Sequence, residues 1–115
     1  MTTFSAFKQC SATDIFSRLG TDISGCISWD HYRSFIRETN SASGATDPEN
    51  CLTIRAIQYS GILSLSERLV LKAALTAADF AHMADEIEGN LWEDMPCLDQ
   101  KNRAAIAAVI IRENS

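Results

Sequence analysis

Few side chains in this 115-residue chain could do covalent or metal chemistry: four cysteines, two histidines and 15 Asp or Glu residues. Cys10, Cys26, Cys51 and Cys97 are scattered without a close pair, and His31 and His82 fall into no HExxH, CxxC or other zinc spacing. A catalytic thiol needs an activating base or cation beside it, and no sequence neighbour supplies one. GxSxG, a phosphate-cradling glycine loop and the dinucleotide fingerprint are also missing. The expectation is a non-enzymatic protein with no catalytic residue, metal ligand set or cofactor. The carboxylates are more suggestive. Asp85, Glu86, Glu88, Glu93, Asp94 and Asp99 gather around Trp92. An aromatic ringed by acids suits a grip on a basic protein surface, although a solvated turn with Trp92 packed inward has the same pattern. Helical spacing separates Asp85, Glu86 and Glu88, so they do not converge on one point. Asp85, Glu86, Glu88, Trp92, Glu93 and Asp94 are the candidate partner-binding residues.

Two other patterns carry chemistry. Phe16, Leu19, Asp22, Ser24, Gly25, Ile27 and Tyr32 resemble the EF-hand calcium loop and its flanking helices. The resemblance implies a sharp turn at Gly25 and pairing of Ile27 with a sister loop. A fainter copy runs through Phe80, Met83, Ile87, Gly89, Leu91 and Asp94. In the first loop Gly20 stands where the family has its leading Asp, and His31 stands where it has a bidentate Glu; calcium wants six to eight oxygens. The alternative function is thus a degenerate EF-hand-like helix–loop–helix protein with weak or no cation binding. A second alternative is a helix-turn-helix DNA-binding protein, with Ser66–Leu71 and Phe80–Ile87 as its first helices. Unbroken helical phase near Thr76 argues against a turn there. Asn90–Asp99 has three acids and no Lys or Arg, a composition that would repel phosphate.

The elements that must position these groups read as helices. In Ser64–Gly89, Leu69, Ala73, Thr76, Phe80, Met83 and Ile87 recur at steps of four and three, and Val70, Ala74, Ala77, Ala81 and Ala84 repeat the spacing one residue on. Arg68, Lys72, Asp79, His82 and Glu86 form a polar stripe broken by Leu75. With a capping box at Ser64–Glu67, this predicts one long central helix over about 65–88, roughly 33 Å long at about 1.5 Å per residue. Phe4 and Phe7 mark an amphipathic lead-in. Ser11 and Asp14 open a helix that buries Ile15, Phe16 and Leu19 and stops at Gly20 in the left-handed position. Ser28 caps the next, whose face is Trp29, Tyr32, Phe35 and Ile36. That helix fades at Asn40 into a flexible linker over about 41–47. Asp47-Pro48 then announces another helix, although Leu52–Tyr59 alternates like a strand and stays open between the two. Asp99 caps a last helix with Ala105, Ile106, Val109 and Ile110 on one face.

The whole is expected to be an all-α, compact single-domain bundle of about five helices over residues 1–115. The net charge of −5 disfavours direct contact with nucleic acid or an anionic membrane. It permits a basic protein partner. No strongly apolar run is long enough to span a bilayer, and scattered cysteines without an export signal suit the cytoplasm. The function expected is a small acidic protein-binding domain: a regulator, adaptor or inhibitor of a protein with a basic surface. Homodimerisation through surplus apolar stripe is a further expectation.

Overall fold

The structure, a computed structural model, describes residues 3–8, 11–47, 51–87, 98 and 100–111. Every regular element among them is a helix: α1 (Thr3–Lys8), α2 (Ser11–Arg18), α3 (Trp29–Thr46), α4 (Leu52–Ser60), α5 (Leu65–Ala77), α6 (Ala81–Ala84) and α7 (Gln100–Ile111). They form a compact all-α domain with a radius of gyration of 13.0 Å, close to the ~13 Å of a single domain this long. No described helix is long and apolar enough to cross a membrane.

α5 is the centre. Its start is the expected capping box, with Glu67 N–H donating to Ser64 Oγ at 3.2 Å and Ser64 N–H donating to Glu67 Oε1 at 3.2 Å. Leu69 to Leu75 are all buried, so the helix is enclosed rather than packed along one face. α7 and α2 pack against it, and α1 lies against α7. The aromatic end of the core joins Phe4, Phe7, Phe16, Trp29 and Tyr32, with Phe7 and Tyr32 edge to face at 5.2 Å.

The rod expected over 65–88 is not continuous. α5 ends at Ala77, and the chain bends through Ala78, Asp79 and Phe80 before α6. The cause is a complete Schellman stop. Phe80 N–H donates to Leu75 O at 2.9 Å and Asp79 N–H donates to Thr76 O at 3.1 Å, with Asp79 left-handed at φ 69°. α2 ends identically: Thr21 N–H reaches Phe16 O at 2.8 Å and Gly20 N–H reaches Ser17 O at 3.0 Å, with Gly20 at φ 82°. Gly20 was the expected stop; Asp79 was not, because Asp is a less usual occupant of that position.

Two boundaries also differ. The stretch 41–47, expected as a linker, continues α3 as helix to Thr46, and Asp47 is the cap at its C-terminal end rather than the start of α4. Ser43, read as linker, and Asn40, where the helix was expected to fade, are polar because they cap α4. Ser43 Oγ accepts from Leu52 N–H at 3.0 Å, and Asn40 Oδ1 accepts from Thr53 N–H at 3.0 Å and Thr53 Oγ1 at 3.1 Å. The first free N–H groups of α4 therefore find partners on α3 and need no capping side chain of their own. Gly44 lies so close that a Cβ there would be 3.4 Å from Cys51 Cβ. Leu52–Ser60, open between strand and helix in the sequence, is helical and buries Leu52, Thr53 and Ala56.

Candidate functional site

Asp85 and Glu86 sit on the turn that follows α6, between buried Ala84 and buried Ile87. Short backbone bonds shape this turn: Ala84 N–H to Phe80 O at 3.0 Å, Glu86 N–H to Met83 O at 3.1 Å and Ile87 N–H to Ala84 O at 3.0 Å. From inside, buried Lys72 donates its Nζ to Ile87 O at 2.8 Å. A buried backbone carbonyl suits an ammonium partner, because a charge-assisted bond is stronger than a neutral one. With Ile87 pinned and Ala84 packed, both acidic side chains are left exposed to solvent. Among the described residues neither carboxylate has an ion-pair partner. The remaining candidates, Glu88, Trp92, Glu93 and Asp94, lie outside the described residues, as do Gly89 and Asp99.

Lys72 and Asp79 were missed as positioning residues. Lys72 belongs to the polar stripe, yet it is only 9% exposed. A signal was available, since apolar Leu75, three residues on, interrupts the same stripe one turn from Lys72 and is itself fully buried. Asp79 lies within 3.7 Å of Nη1 of both Arg33 and Arg37, which project from α3 across the bend. Tyr32, also on α3, donates its hydroxyl to the carbonyl of Ala74 within the core. α3 thus supplies both the cap for the end of α5 and the counter-charge for the residue that stops it.

The loop that resembles an EF-hand does connect two helices, α2 and α3. Its interior is used differently. Lys8 Nζ donates to Ser24 O at 3.0 Å and Cys26 O at 2.8 Å, so carbonyls of the loop converge on an ammonium of the chain itself. Asp22 Oδ1 accepts from the Ser24 hydroxyl at 2.6 Å and from Ser24 N–H at 2.9 Å. These two bonds, the hydroxyl's first, hold the Asp22 carboxyl below its ordinary range. Ile27 is 83% exposed. Among the described residues no three His, Cys, Asp or Glu side chains come together as metal ligands would.

The thiols divide by environment. Burial pushes the Cys26 thiol up. Desolvation pushes the Cys51 thiol up too, but the polar groups around it, the Thr53 hydroxyl 3.4 Å away first and then the backbone at the start of α4, outweigh it and leave that thiol below its ordinary value. His31 is exposed and turned to its own loop, its Nδ1 accepting from Ile27 N–H at 3.3 Å. The bend at Ala78–Phe80 supplies the break that sequence phase denied to a helix-turn-helix, but the helix after it, α6, has only 4 residues. The acidic segment that would have to serve as a recognition helix, Asn90–Asp99, lies outside the described residues apart from Leu98. No family model matches the chain, and neither a curated protein nor a solved structure is similar to it.

Proposed function

We propose that this chain is a small acidic, non-enzymatic protein-binding domain that docks on a basic surface of another protein, as a regulator, adaptor or inhibitor. The observation that carries the reading is the Asp85–Glu86 turn, two exposed carboxylates on a backbone fixed from beneath by Lys72. Preorganised charge steers association and sets specificity more than it adds affinity. In sequence the acidic run continues through Glu88, Glu93 and Asp94 beside Trp92, which would supply the aromatic anchor. A net charge of −5 supports a protein partner over nucleic acid or an anionic membrane. Free thiols at Cys26 and Cys51 support a cytoplasmic setting.

The test compares the wild type with Asp85→Lys/Glu86→Lys and with Glu88→Lys/Glu93→Lys. Partners captured from the native host are identified, and each is titrated at two salt concentrations. Expected is a partner with a basic face whose affinity falls as salt rises and falls at least about tenfold on charge reversal, with melting curves unchanged. Unaltered affinity in both reversed variants would reject the reading.

A further inference from the structure

The apolar phase of residues 64–87 is that of one continuous helix, yet the chain bends inside it. Four features hold the bend: the Schellman bonds of Asp79 and Phe80, the left-handed backbone of Asp79, the Arg33 and Arg37 guanidinium groups 3.7 Å from its carboxylate, and the Lys72–Ile87 bond. The last cannot exist in a straight helix. Fifteen residues at about 1.5 Å each would put Lys72 and Ile87 about 22 Å apart. A rod would instead gain regular helical bonds through the bend and lose its one left-handed non-glycine residue. The sequence thus fits two conformations, and a few polar contacts choose between them.

We propose that Ala78–Phe80 is the hinge of a segment exchange between two copies of this chain. When the hinge straightens, α5 and α6 become one rod, and everything after Phe80, α7 included, leaves its own α5 and α1. It takes the same places on a second copy. A second copy is the occupant that fits because the vacated surfaces are shaped for this segment. Asn102 Oδ1 accepts from Ser11 N–H at 3.2 Å and from Ser11 Oγ at 3.1 Å, its Nδ2 donates to Ser66 Oγ at 2.9 Å, and Ala105 and Ile106 are buried beside it. Exchange remakes each of these contacts between copies without new surface, which is why exchanging an element is a low-cost route to a dimer. The inference shares the Lys72–Ile87 bond with the proposed partner-binding role but uses none of the acidic residues of that surface, so charge reversal there leaves it untouched.

The test uses the full chain and four proteins: wild type, Asp79→Ala, Asp79→Gly and the double variant Arg33→Ala/Arg37→Ala. Ala is a better helix former than Asp and tolerates the left-handed region less, whereas Gly has the opposite preferences. The dimerisation constant should rise about tenfold in Asp79→Ala and fall about tenfold in Asp79→Gly. The double variant, which leaves the hinge backbone intact, should also rise. Mass is read by light scattering over concentration and helix content by circular dichroism, with dimers the more helical. In dimers assembled from labelled and unlabelled copies, the Ser11–Asn102 contact should cross between copies. Monomers throughout, equal association in the two Asp79 variants, or a Ser11–Asn102 contact confined to one copy would each overturn the proposal.

Discussion

Removing one oxygen, in Tyr32→Phe, tests how α5 is terminated. The last four carbonyls of a helix lack helical partners, and in α5 the Leu75 and Thr76 carbonyls are taken by the Schellman bonds. The Ala74 carbonyl is met by the Tyr32 hydroxyl, which reaches it across the core from α3. Tyr32 is fully buried and Ala74 is fully buried, so water cannot take the hydroxyl's place. Leaving a buried acceptor short of its partner costs about 1–3 kcal/mol, while the ring itself is unchanged and keeps its contacts with Phe7 and Phe16. For a chain of this length about 4 °C of melting temperature accompanies each kcal/mol. A midpoint of ~2 kcal/mol therefore predicts a fall of about 8 °C. The control is Tyr59→Phe, whose hydroxyl accepts only a long 3.4 Å bond from Arg18 at the surface; it should move the midpoint by no more than about 2 °C. Melting is followed by circular dichroism, and hydrogen exchange should show the loss concentrated at the end of α5. Equal melting of the two variants would refute the assignment of Tyr32 as a tertiary cap.

Three further outcomes are expected. Ser64→Ala removes one half of the capping box and should cost about 1 kcal/mol in chemical denaturation, with no change in the slope. Gly20→Ala meets no atom within 4 Å but must hold φ at 82°; it should lose about 1 kcal/mol through backbone strain alone. Of the two described thiols, Cys51 should be alkylated well before Cys26 at neutral pH, because its thiolate is favoured and Cys26 is buried; peptide mapping after brief labelling reads the order.

Gly20 and Asp79 show what could be read in advance. Both end a helix with the same pair of backbone bonds, yet glycine announces the left-handed position and aspartate does not. The difference lies outside the local sequence. Asp79 is bracketed by Arg33 and Arg37, more than 40 residues away in the chain, so the stop at Ala77 depends on tertiary charge that periodicity cannot register. Ser43 and Asn40 teach the same lesson in reverse. Ser43 looked like linker and Asn40 like a fading helix end, but the polarity of both serves the N–H groups of α4. Elements whose caps are their own, such as the box at Ser64–Glu67 and the Ser28 cap, whose hydroxyl accepts from His31 N–H at 3.1 Å, stood where the sequence put them. The candidate surface was legible in Asp85 and Glu86 as acidity alone. The buried ammonium that fixes their turn was hidden because Lys72 belongs to a stripe that is polar except at Leu75.

α5 and α6 fold back on each other at Asp79, which brings Lys72 beneath the Asp85–Glu86 turn. Nuclear Overhauser spectra of the monomeric fraction test it most directly. Contacts between the Lys72 side-chain protons and Ile87 are expected, together with left-handed backbone shifts at Asp79. Uninterrupted helical shifts from Leu65 to Ile87 in the monomer, with no Lys72–Ile87 contact, would contradict it.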